Sequence, residues 1–158
     1  MSRFRRILVP IDGSAASLEA HRLALDLAGR YGAEIIMLYV VDSSVLAEYS
    51  RLTGQERPCL LRDMEDSGTK LLASLRKEAQ EVGVKATASL QTGAPDEIIT
   101  QEAGRHRVDL IVMGKIGHKR HRHSLVGSVT ERVLEAAELP VLVVGLARGA
   151  SVGTTGHD

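Results

Sequence analysis

The chain has no tryptophan, one cysteine and only four aromatic residues, Phe4, Tyr31, Tyr39 and Tyr49, among its 158. A core without large aromatics must be built from Ala, Val, Leu and Ile. A surface without them lacks the stacking platforms that single-strand nucleic-acid binders use. Cys59 has no second cysteine to pair with inside the chain, which fits a reducing cytosol. An excess of charge is also lacking, since 20 Lys+Arg balance 20 Asp+Glu. That balance argues against a general nucleic-acid coat protein and leaves room only for a local basic patch. No apolar run approaches the ~20 residues needed to cross a bilayer. The short run Ile7–Ile11 is followed at once by Asp12, unlike a signal-peptide core. The expectation is a cytoplasmic protein with no membrane partner.

What is present is the mix of a folded domain. Hydrophobic residues make up 44% and charged residues 25%, which excludes disorder over most of the length. One domain over 1–146 is expected, followed by a disordered tail over 147–158, because Gly145 to Asp158 holds four Gly, two Thr and no periodicity.

Residues 6–11 are a short β-branched run without alternation, read as a strand buried on both faces. After Asp12-Gly13-Ser14, the spacing of Ala16, Ala20, Leu23, Leu27 and Tyr31 predicts a helix, capped by Ser14 or Ser17 and stopped by Gly32. A second buried strand is expected over 33–41. Residues 42–60 read as a loop with a short helical turn, marked by Ser43, Ser44, Thr53, Gly54 and Pro58. A helix follows from Leu61 to Val82. Val84, Ala86, Ala88 and Leu90 alternate with polar residues, the pattern of a half-exposed strand near a sheet edge. Pro95 stands near the first position of a helix expected from Asp96 to Arg105. Strands over 109–113 and 141–144 flank a last helix over 128–137. This alternation predicts an α/β fold, an open five-stranded parallel sheet with helices on both faces. Ligands of such sheets bind beyond the carboxyl ends of the strands, which directs attention to Asp12, residues 40–42 and Gly114.

The richest stretch runs from Met113 to Val129. It leaves a strand, carries Gly114, Gly117 and Gly127, and enters a helix at Gly127-Ser128. Glycines let backbone amides approach a ligand, and a helix start favours an anion. No acidic residue lies between Leu110 and Thr130, whereas Lys115, Lys119, Arg120 and Arg122 bring positive charge. The pattern points to a phosphate-bearing partner. The alternative is that the glycines only turn the chain and the charges form a solvated face. The stretch is not a Walker A loop, because no Gly-Lys-Ser/Thr triplet occurs.

The spacing Gly114, two residues, Gly117, nine residues, Gly127-Ser128 resembles the nucleotide-binding signature of the universal stress protein family. The resemblance extends to Ile7-Leu8-Val9-Pro10-Ile11-Asp12-Gly13-Ser14, Leu38-Tyr39-Val40-Val41, Gly93-Ala94-Pro95 and Leu139-Pro140-Val141-Leu142-Val143-Val144, covering residues 4–146. It implies a Rossmann-like, adenine nucleotide alpha hydrolase-like sheet of strand order 3-2-1-4-5 and the ATP-binding branch of the family. By matched position, Asp12 receives the ribose or adenine end. Pro10 and Val40 line an adenine slot, and Met113 and Gly114 contact the ribose side. Gly117, Gly127, Ser128 and Val129 hold phosphates through backbone N–H groups and the Ser128 hydroxyl. ATP is the expected cofactor, with AMP or cyclic AMP as alternatives and Mg arriving with the nucleotide. The sequence departs from the family at Arg120, where another glycine is common.

Other readings compete at particular residues. The alternative for Asp12 is capping the following helix. His118, His121 and His123 suggest a metal, but no acid or thiol lies near and four cations repel a divalent ion; a pH-sensitive phosphate grip is preferred. Nucleic-acid binding by the basic loop is disfavoured by the acid-rich remainder. No nucleophile–base pair with an orienting group is evident, so at most slow ATP hydrolysis is expected. The apolar last strand invites pairing with a second copy, and the resemblance likewise implies a homodimer.

Overall fold

The structure, a computed structural model, describes residues 3–116 and 125–146. Gly117, the 118–123 basic run, Ser124 and the 147–158 tail lie outside the described residues.

Five parallel strands form one sheet in the order β3-β2-β1-β4-β5. They are β1 (Arg6–Ile11), β2 (Glu34–Asp42), β3 (Ala86–Gly93), β4 (Leu110–Gly114) and β5 (Val141–Val144). The helices are α1 (Ala15–Tyr31), α2 (Ser43–Thr53), α3 (Arg57–Glu81), α4 (Pro95–Arg105) and α5 (Ser128–Ala136). Successive β-strand side chains point to opposite faces, and both faces of β1 are covered. Ile7, Val9 and Ile11 join Ala20, Ala24, Ala28, Leu72 and Leu75 in one apolar cluster. Leu8 joins Ile36, Leu38, Ile99, Ala103, Ile111 and Val133 in the other. This two-sided burial is why β1 reads as an unbroken apolar run.

Helix α1 lies close to the sheet because its inward row, Ala16, Ala20, Ala24 and Ala28, is made of small side chains and is buried. Ser14, not Ser17, caps it: its hydroxyl oxygen accepts from the Ser17 amide at 3.2 Å, and Gly32 closes the other end at φ 68°. Strand β3 lies at the sheet edge, as its alternation requires.

The segment expected as a loop over 42–60 is instead α2 and the start of α3. Asp42 caps α2, its Oδ1 accepting from the Ser44 amide at 2.9 Å and the Ser44 hydroxyl at 2.6 Å. Gly54 ends it in the left-handed region, at φ 72°. Pro58, read as a loop marker, stands in the first turn of α3, where its missing N–H costs nothing. Strand β3 runs three residues beyond the expected Leu90, pairing with β2 as far as Gly93; the remaining elements differ from expectation by one or two residues at their ends.

A candidate nucleotide cleft at the strand ends

The carboxyl ends of β1, β2 and β4 open into a cleft of about 460 Å³. Every expected site residue within the described segments borders it: Pro10, Asp12, Val40, Met113, Gly114, Gly127, Ser128 and Val129. The sheet thus brings together residues more than a hundred positions apart. Pro10 and Val40 lie on the same face of adjacent strands, offset by two residues, since Pro10 pairs in register with Leu38.

Asp12 braces the turn between β1 and α1. Its Oδ1 accepts from the Ser14 amide at 2.9 Å, and its own amide meets the Ser17 hydroxyl oxygen at 3.4 Å. The helix cap itself is Ser14, so Asp12 stands two residues ahead of the cap and stays at the cleft wall. Tyr39 lies near it. Burial first, and then the Asp12 carboxylate, push the Tyr39 phenol above its ordinary pKa.

Gly114 is also required to be bare by packing. A Cβ there would stand 2.9 Å from the Ala16 carbonyl carbon, the Ala16 Cβ and the Ser17 amide nitrogen. Glycine at this position lets the end of β4 dock against the first turn of α1. It is not among the described glycines with positive φ.

The α5 start corrects one detail of the expected phosphate grip. The Gly127 amide is already donated to the Lys115 carbonyl at 2.8 Å. Gly127 has an extended conformation, φ −67° and ψ 159°, and as the N-cap it supplies no side-chain acceptor. The next three amides, of Ser128, Val129 and Thr130, have no intrahelical acceptor by geometry, and none is assigned to them among the described residues. These three amides, with the positive end of the helix dipole, are where an anion is favoured. Thr130 is buried and donates its hydroxyl to the Gly114 carbonyl at 2.9 Å, fixing that helix start to β4.

Several cleft residues were not foreseen. Val45 and Tyr49, one turn apart on α2, and Met64 on α3 form an apolar wall. Val45 and Tyr49 were hidden because α2 was read as loop, whereas Met64 was expected on a helix but not at the cleft. Tyr39, Ser14, Ser17 and Thr130 also border the cleft; the Asp12-x-Ser14-x-x-Ser17 spacing was the available signal for two of them. Among the described residues there is no group of three His, Cys, Asp or Glu that could hold a metal ion, and no helix is long and apolar enough to cross a membrane.

A doubly wound parallel sheet, with an apolar slot beside an uncapped helix start at its strand ends, defines a class of α/β domain that takes small anionic ligands there. Within that class, the chain belongs to the universal stress protein family: the profile described as "Universal stress protein family" matches residues 3–145. It is similar to the universal stress protein MJ0531 of Methanocaldococcus jannaschii, 37% identical over 142 residues covering 89% of this chain and 82% of that protein. It is also similar to the universal stress protein YxiE of Bacillus subtilis, 32% identical over 147 residues, 89% of this chain and 99% of that one. Among solved structures, that of MJ0577 superposes with a TM-score of 0.80 at 28% identity, over 92% of this chain and 98% of that chain. Two more distant structures share the fold: a universal stress protein in complex with cAMP (TM-score 0.69, 23% identity) and an Arabidopsis thaliana family protein with AMP bound (TM-score 0.63, 22% identity).

Proposed function

We propose that the chain is a cytoplasmic, nucleotide-responsive module that binds ATP in the cleft at the strand ends. The observation that carries this reading is the α5 start: three amides without intrahelical acceptors, capped by a residue with no side chain, facing an apolar slot. That arrangement suits a ligand with a flat apolar end and an anionic end. The cAMP and AMP complexes of distant relatives support an adenine nucleotide of some kind.

In this reading Pro10 and Val40 flank the adenine, Asp12 takes a ribose hydroxyl or the adenine edge, and Met113 and Gly114 lie along the ribose. Ser128 and Val129 hold phosphate oxygens through amides, and Ser128 adds its hydroxyl. Gly127 contributes by bareness, leaving room beside those amides, and Gly117 approaches from the loop. Mg enters with the phosphates. Hydrolysis is slow at most, because the other cleft carboxylate, Asp42, serves as the cap of α2. The chain pairs with a second copy through β5, an edge strand whose Leu142 is 37% exposed.

The test is mass spectrometry of nucleotide released when the natively purified protein is denatured. Calorimetry with ATP, AMP and cyclic AMP, with and without Mg, complements it. Bound adenine nucleotide is expected, and its loss in Gly127→Val without loss of fold. A protein that releases no nucleotide and shows no heat with any of the three overturns the reading.

A further inference from the structure

A second concavity lies at the opposite end of the sheet, where the strands begin. It encloses about 640 Å³ and is bordered by Arg6, Lys85, Arg105 and Arg107, with Glu34 and His106 between them. Its floor is the polar row Thr87, Ser89 and Gln91. These pair in register with Ile36, Leu38 and Val40, so they stand on the α4 face of the sheet. The apolar side chains of α4, Ile99 and Ala103, cluster with Ile36 and Leu38 and leave the polar row of this edge strand open.

Two features exceed what a solvated edge needs. The first is charge. Glu34 is shared by Arg6 at 3.0 Å and Lys85 at 3.3 Å, and Arg105 meets the buried Glu102 at 3.4 Å. Burial pushes the Glu34 carboxyl up, but its hydrogen bonds to Arg6 and Lys85 and their charges outweigh that and hold it below its ordinary pKa. Two carboxylates thus face four cations, and Arg107 has no ion pair among the described residues. One basic residue in the last turn answers the carbonyl end of α4; the remainder is surplus. The second is conformation. Arg107 follows α4 at φ 51° and is the sole non-glycine residue with positive φ among those described. Its amide returns to Gly104 and that of Val108 to Ala103, the hydrogen-bond pattern in which glycine normally holds this place. The chain carries a long cation where a glycine is least strained.

We propose that this groove binds an extended acidic peptide segment of a partner protein. The cations come from four separate places along the groove, β1, the end of α4, the turn after it and the residue before β3, which suits several carboxylates on one chain better than one compact anion. The row from Thr87 to Gln91 spans roughly 13 Å at strand rise, which suits a chain whose carboxylates alternate. Its hydroxyl and amide groups offer hydrogen bonds along that length. The cations sit at the strand starts, whereas the nucleotide cleft opens at the carboxyl ends, where only Gln91 of the groove comes level with Val40; occupation of the groove does not depend on the function proposed for that cleft.

The test uses the full chain and fluorescence anisotropy with a short labelled peptide alternating Glu and Thr, against its Lys-Thr counterpart. The acidic peptide is expected to bind, more weakly as salt rises, and the basic one not. Arg107→Gly is expected to weaken binding several-fold while melting no lower than the parent, because it relieves the left-handed strain. Adding Lys85→Glu brings the loss to about tenfold. Nucleotide content is unchanged in both. Equal binding of the two peptides, no change in either variant, or full competition by inorganic tripolyphosphate at matched charge overturns the proposal. So does capture on anionic phosphatidylglycerol vesicles with the same Arg107 dependence when the peptide does not bind.

Discussion

The Thr130 hydroxyl donates a 2.9 Å hydrogen bond to the carbonyl oxygen of Gly114, joining the first turn of α5 to the last residue of β4. This bond sets where the open amides of α5 point. Thr130→Val keeps the shape, removes the donor and leaves the Gly114 carbonyl short of a partner. The expected cost is about 1–2 kcal/mol of stability by denaturant titration, together with weaker nucleotide binding by calorimetry. Thr130→Ser is expected to restore most of both.

Gly114→Ala tests the contact between strand and helix. The added methyl meets backbone atoms of Ala16 and Ser17 at 2.9 Å, and backbone cannot swing aside as a side-chain end can. A loss of roughly 1–3 kcal/mol is expected, as for overpacked cores. A melting temperature equal to the parent's would show that α1 can retreat from the sheet without cost.

Gly68 stands in the middle of α3, where alanine is normally better by about 1 kcal/mol. Here a Cβ would lie 2.5 Å from the Tyr39 ring. Gly68→Ala is therefore expected to destabilise the parent. In a Tyr39→Leu background the same change is expected to stabilise. A double-mutant cycle reads this sign reversal directly.

His21 is fully buried between α1 and α3, and neither ring nitrogen has a hydrogen-bond partner among the described residues; Glu78 lies 3.8 Å away. Burial lowers its pKa below the ordinary 6.5, only partly offset by the Glu78 charge and the Leu75 backbone, while Arg22 lowers it further. As pH falls through 6.5, the unfolded chain takes up a proton that the native site resists. Its contribution to stability is complete above that pH and declines on acidification toward the lowered native value. The melting temperature is expected to fall between about pH 7.5 and 5.5. His21→Leu is expected to flatten that slope and add about 1 kcal/mol at neutral pH by removing two unsatisfied polar atoms. An unchanged slope in the variant would assign the pH dependence to other groups.

The sheet was legible because its strands are buried on both faces, so β1, β2 and β4 are written as uninterrupted apolar runs. The borders of the cleft were legible at Asp12 and in Gly114, Gly127 and Ser128, whose residue types at strand ends and a helix start stand out in the sequence. Helix α2 was not, because it is short and buries only Leu46, so its few apolar residues, Val45, Leu46, Tyr49 and Leu52, were passed over among the loop markers; its signals were the capping Asp42 and the terminal Gly54, both of which also mark loops. The packing role of Gly114 was not legible for a related cause. A glycine at a strand end looks like a ligand contact until the neighbouring helix is placed against it. Likewise, nothing in the sequence around Gly127 reveals that Lys115 takes its amide, because that bond spans the loop.

Lys115 also donates its own amide to the Val144 carbonyl at 2.7 Å, while its carbonyl receives Gly127. A single residue is therefore the common hinge-pin of the outermost strand and the helix lip. Peptide units are stiff, so any displacement of that lip must drag on the border strand. Events inside the cleft have a mechanical route to the rim of the sheet that needs no long chain of intermediaries.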